Sequence, residues 1–167
     1  MWRSDMETLR LDRVTDEAAL ARLETALRAL GAELSDPFPP QRDVLRRALF
    51  GPHPSAFGLL ALRGEALLGA ALFSPVYSTA RGGAGAYVSD LWVAPGARGL
   101  GIGRRLLAAV AEAGTALWGS DWLKLAVYGH STESQAFYRR LGFCPAQGMQ
   151  EMRLDAAGVA ALAGRAG

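Results

Sequence analysis

Residues 88–107 read VSDLWVAPGARGLGIGRRLL. Leu91, Trp92 and Val93 are apolar and strand-prone, and Pro95-Gly96 is a turn signal. Glycines then fall at alternate positions, Gly99, Gly101 and Gly103, immediately before a segment with helical apolar spacing. The first amides of a helix lack intrahelical partners and sit at the positive end of its dipole. Glycines just ahead of them let an anion approach closely. The stretch is therefore expected to be a central strand, a phosphate cradle and a helix, with Arg98, Arg104 and Arg105 adding positive charge. No Gly-Lys-Ser/Thr follows, so it is not a P-loop. The strand comes mid-chain, and no βαβ unit carries an acidic residue where a dinucleotide site needs one.

Outward from this stretch, alternation and helical spacing describe a mixed α/β sheet. A short strand at 8–11 precedes a helix with Thr15 as N-cap, Leu20, Leu23, Leu27 and Leu30 on one face, and Gly31 at its end. A proline-bearing loop at 34–40 leads to a second helix at 41–50, with Val44, Leu45, Ala48 and Leu49 as its apolar face. Strands are expected at 56–62 and 66–73, joined by Arg63-Gly64-Glu65, then at 86–93 after a small-residue loop at 78–85. The helix at 102–118 buries Ile102, Leu106, Leu107, Val110 and Leu117. Further strands are expected at 122–128 and 149–154. A short helix at 131–141 between them ends at Gly142, with Phe143 packing back. The alanine-rich tail 155–167 is compatible with a short helix or with fraying.

Composition narrows the class. A chain of 167 residues is most simply one domain, 1–167, with a core at about 8–155. Its 18 basic and 16 acidic residues are too balanced for nonspecific nucleic-acid binding. Cys144 is the single cysteine, and His53 and His130 are the two histidines, so neither a disulfide nor a metal site is expected. With no apolar run of membrane-spanning length and an acidic, apolar-poor N-terminus, a cytoplasmic protein that does not engage membranes is the default expectation.

The second constellation is Ser131 to Phe143, STESQAFYRRLGF. Phe137 and Leu141 are ordinary core positions, whereas Tyr138 carries a hydroxyl suited either to burial or to a cleft. Arg98-x-x-Gly101-x-Gly103 after LWVAPGA, followed by FYRRLGF, resembles the GNAT superfamily of acyl-CoA-dependent N-acetyltransferases. The resemblance spans roughly residues 8 to 155, and AYVSDLWVAPGARGLGIGRRLL with the tail MRLD is most similar to spermidine/spermine-type and thialysine-type members.

That resemblance implies a mostly antiparallel, splayed sheet flanked by helices. It implies acetyl-CoA as cosubstrate, no metal, a small-molecule amine as acceptor, and leaves room for a homodimer. The loop of Arg98, Gly99, Leu100, Gly101, Ile102, Gly103 and Arg104 would hold the coenzyme pyrophosphate, and the pantetheine arm would pair along Leu91, Trp92 and Val93. Tyr138 matches the family's general acid. A thiol pKa of about 8.5 lies near enough to a phenol's ~10 for a held O–H to protonate the departing thiolate. Ser131 stands where the family often has asparagine and Ser134 where it often has alanine, as further coenzyme contacts. Polyamine-type members carry a glutamate before the aspartate of this strand. Here Ser89 replaces it, leaving Asp90 either to act through water or to anchor the strand. Glu33, Asp36 and Asp43 are open to recognition of a basic acceptor or to simple solvation. Cys144, His130, Trp92 and Trp122 are expected to be structural or surface residues. A non-catalytic acyl-CoA sensor and a protein or antibiotic N-acetyltransferase are the alternatives.

Overall fold

A computed structural model describes residues 8–39, 41–148 and 150–164, which group into two compact units divided between Tyr128 and Gly129. The first unit carries β1 (Arg10–Arg13), α1 (Glu17–Leu34), α2 (Arg42–Phe50), β2 (Phe57–Arg63), β3 (Ala66–Ser78), β4 (Gly83–Val93), a 3-10 turn (Pro95–Ala97), α3 (Ile102–Trp118) and β5 (Leu123–Leu125). The second carries α4 (Thr132–Arg140) and α5 (Ala156–Leu162).

The sheet runs in the order β1-β2-β3-β4-β5. The first three pairings are antiparallel, and β4 pairs with β5 in parallel. This is the mixed, mostly antiparallel α/β architecture expected from the sequence. Both faces are covered, which explains why β2 reads FGLLALR with little polar alternation. Leu60, Leu62, Ala70 and Trp92 pack with Leu20, Leu23 and Leu27 of α1 and Leu45 and Leu49 of α2. On the other face Phe57, Phe73 and Trp118 of α3 form an aromatic cluster with centroids 5.1–6.2 Å apart. Phe73 is only 1% exposed, a position where truncation to alanine typically costs about 3–5 kcal/mol.

Two boundaries of α1 differ from expectation. Its N-cap is Asp16 rather than Thr15, because the Asp16 carboxylate accepts from the Ala19 amide at 2.8 Å. The helix also runs past Gly31, which is buried under Phe38, and ends at Ser35 in the left-handed region. The Asp36 amide closes that end on the Gly31 carbonyl at 2.9 Å. Val44 and Leu117, expected in buried stripes, are 67% and 41% exposed. In α2 the i,i+4 pair Leu45 and Leu49 meets the sheet instead. In α3 the stripe continues from Val110 through Gly114 to Trp118.

Strands β3 and β4 extend further into the small-residue stretch than their side chains suggest, pairing out to Ser78 and Gly83. Backbone ladders need no apolar side chains. Conversely, β5 covers only Leu123–Leu125 of the expected 122–128 strand, and Ala126, Val127 and Tyr128 are exposed. Residues 150–154 form no strand. Met152 and Leu154 are 83% and 57% exposed, so their alternation has no face to bury; Met149 lies outside the described residues. No described helix is long and apolar enough to cross a membrane.

Candidate active site

The parallel pairing of β4 with β5 spans only Ala86 to Val88. Beyond Val88 the two strands part, and no ladder covers that edge of β4 among the described residues. The Ala94 amide bonds back to Leu68 of β3, so by alternation the backbone groups of Val93 and Leu91 face the open side. Trp92, between them, turns its backbone to β3 and its indole into the core.

Just before this open edge, the register between β3 and β4 slips. Phe73 opposes Val88 and Leu72 opposes Asp90, leaving Ser89 as the extra residue of a bulge. Val88 lies opposite Phe73, on the α3 face, and simple alternation would send Asp90 there too. The bulge instead turns Asp90 to the α1 face, where it feels the charge of Asp36. Ser89 itself donates from Oγ to the Leu72 carbonyl at 3.2 Å. Burial holds the Asp90 carboxyl above the usual carboxylate range; the adjoining Ser89 hydroxyl draws it down somewhat and the Asp36 charge pushes it up again.

At the C-terminal end of β4 the chain passes through the 3-10 turn into the glycine loop. Gly99 and Gly101 have φ of +78° and +76°, values that strain any residue with a Cβ. Gly101 is also the N-cap of α3 and offers no side chain, so none caps the first-turn amides of the helix. Leu100 is exposed, Ile102 and Gly103 are buried, and Arg104 and Arg105 are exposed. An exposed, uncapped helix start is suited to an anion. Arg98, expected to add charge there, turns its guanidinium elsewhere: Nε donates to the Val93 carbonyl at 3.1 Å and Nη2 meets Glu33 at 2.5 Å.

Asp36 accepts from the Tyr128 hydroxyl at 2.9 Å. Tyr128 was not singled out from sequence; its place at the end of the apolar run WLKLAVY was the available signal. Asp43 pairs with Arg46 on α2 and is remote in role from this cluster. No group of three or more described His, Cys, Asp or Glu residues is placed to hold a metal.

In the second unit, Tyr138 lies in the last turns of α4 and is half-buried. Gly142, at φ +92°, ends the helix, and the amides of Gly142 and Phe143 reach the carbonyls of Arg139 and Tyr138, each at 3.0 Å. The Tyr138 ring is flanked by Phe137 at 5.1 Å and Phe143 at 5.6 Å. Burial pushes its phenol pKa above the ordinary value, so the hydroxyl keeps its proton at neutral pH. Ser131 occupies the N-cap position of α4 without a side-chain cap bond, and Ser134 is exposed on its first turn. Cys144 and His130 are exposed.

The model of the Acetyltransferase (GNAT) family matches residues 22–143, which include the splayed edge, the glycine loop and α4. The chain belongs to this family. As a GNAT protein it is an acetyl-CoA-dependent N-acetyltransferase. It is similar to a thialysine N-ε-acetyltransferase from Sus scrofa, with 29% identity over 144 residues covering 80% of this chain and 84% of that protein. The GNAT fold is shared with an integron cassette protein from the mobile metagenome of V. cholerae, at a TM-score of 0.75 and 20% identity over 93% of this chain and 97% of that one. An aminoglycoside acetyltransferase from an uncultured soil metagenomic sample has a TM-score of 0.72 and 17% identity, covering 88% of this chain and 95% of its own.

Proposed function

We propose that the protein transfers the acetyl group of acetyl-CoA directly to the primary amine of a small cationic molecule, with residues 1–167 acting as one catalytic domain. The observation that carries this is the open β4 edge running straight into an uncapped helix start. The residues present fit the coenzyme. The edge at Leu91 and Val93 offers backbone groups to the two amides of a pantetheine arm. The loop amides from Gly99 to Arg104 offer donors to the pyrophosphate. Ser131 and Ser134 supply hydroxyls at the start of α4 for further contacts.

Acetyl-CoA supplies an activated thioester, and what remains for the protein is to orient the amine and manage two protons. Asp90 draws the cationic amine and receives its proton through water, a task its raised carboxyl pKa suits. Asp36, whose charge acts on Asp90, makes the same region attractive to a cation. Tyr138 holds its proton until charge builds on sulfur and then donates it. A relative named for thialysine acetylation and a fold neighbour that is an aminoglycoside acetyltransferase both point to basic small-molecule amines.

The deciding experiment is a screen of diamines, basic amino acids and aminoglycosides with acetyl-CoA, following thiol release together with acetylated product. Product with at least one cationic amine is expected. Coenzyme binding without transfer to any amine would reject the proposal in favour of a sensor.

A further inference from the structure

The end of β4 and the start of the glycine loop, 59 and 65 residues further along the chain, both bond to one carboxylate at the end of α1. Glu33 Oε1 accepts from the Trp92 indole at 3.1 Å, and Oε2 accepts from Arg98 Nη2 at 2.5 Å. Arg98 Nε in turn donates to the Val93 carbonyl at 3.1 Å, at the last position of the open edge of β4. An isolated exposed ion pair is worth little, because water screens it and two side chains must be ordered. This one differs in its attachments. The Trp92 side chain is anchored in the core at 9% exposure, so Glu33 has a fixed base on one side. On the other side Arg98 is held at both Nε and Nη2, and it is the first residue of the glycine loop.

We infer that Glu33 is a positioning residue for the coenzyme. It fixes Arg98 as a strut between the end of β4 and the start of the glycine loop, so that the edge and the loop amides keep one spacing. The Arg98 guanidinium serves that geometry, and the pyrophosphate is left to the backbone amides and the dipole of α3. The inference rests on the reading of edge and loop as the coenzyme site. Its alternative is definite: if Arg98 is a phosphate ligand, Glu33 competes with phosphate for it.

The two possibilities move the Michaelis constant in opposite directions. With Glu33 as the support, Glu33→Ala and Arg98→Ala each raise KM for acetyl-CoA about tenfold, with kcat and acceptor KM changed less than about twofold. The double variant then matches either single one, since both remove the same strut. A lowered or unchanged KM in Glu33→Ala, or multiplied effects in the double variant, would overturn the inference. A second readout uses no activity and survives if Glu33→Ala folds poorly. The indole N–H resonance of Trp92, identified by its loss in Trp92→Phe, should shift in both Glu33→Gln and Arg98→Ala, because the carboxylate links the two partners. No shift in Arg98→Ala would equally overturn it. A wild-type protein that fails to bind coenzyme A by calorimetry would reject the coenzyme site itself, an outcome separate from unaltered binding in the variants.

Discussion

The amide of Phe143 donates to the carbonyl of Tyr138 at 3.0 Å, and the two rings meet edge to face with centroids 5.6 Å apart. One local device, a helix stop at Gly142, thus sets both the backbone and the ring environment of the proposed acid. Tyr138→Phe should lower kcat by about a hundredfold or more while coenzyme affinity stays within about twofold. Phe143→Ala should lower kcat by a smaller factor through looser placement of the phenol. Steady-state kinetics with calorimetric coenzyme titration checks both, and undiminished turnover in Tyr138→Phe removes it as the acid.

Gly101 separates backbone strain from charge. An added Cβ there meets nothing within 4 Å, so Gly101→Ala carries only the cost of a left-handed alanine, about 1–2 kcal/mol. Gly101→Glu adds a negative charge at the uncapped helix start and should abolish coenzyme binding, whereas Gly101→Ala should retain it, weakened. Equal affinities for the two variants would reject the loop as an anion site.

Asp90 should cost the protein stability at neutral pH. Its folded pKa is raised, chiefly by burial, so between the ordinary carboxylate value of about 3.9 and the folded value the native state binds more protons than the unfolded one. Stability therefore falls as pH rises through that window. Asp90→Asn is expected to raise Tm at about pH 7, and the gain should vanish below about pH 3.5, where Asp90 is protonated in both states. Thermal unfolding across pH tests the sign, and a lowered Tm at neutral pH contradicts it.

Asp36 acts on Asp90 as a like charge, so Asp36→Asn should bring the Asp90 pKa down. If Asp90 must be ionised for turnover, the acidic limb of the kcat profile moves to lower pH. KM for a dicationic acceptor should rise more than for a monocationic one. A profile that does not move would mean that Asp90 does not govern that limb.

Much of this protein was determined by its sequence alone. The αL glycines, the turn at Pro95 and the apolar periods of 91–93 and 102–110 are local properties, and they produced the strand, loop and helix that the fold contains. Gly142 and Phe143 likewise specified the end of α4 from neighbouring residues only. Tertiary structure decided the rest. Ser89 and Asp90 carry no signal for a bulge, which arises from the mismatch between two paired strands and turns Asp90 from the α3 face to the α1 face. From sequence Glu33 was open to acceptor recognition or to simple solvation, and only the approach of β4 and the loop gave it Trp92 and Arg98 as partners. The strand expected at 149–154 is absent over its described residues 150–154 for the same reason in reverse, since a strand exists only where another strand accepts its hydrogen bonds. Backbone conformation is set within a few residues, whereas side-chain partners and strand register depend on segments that the chain brings together from far apart.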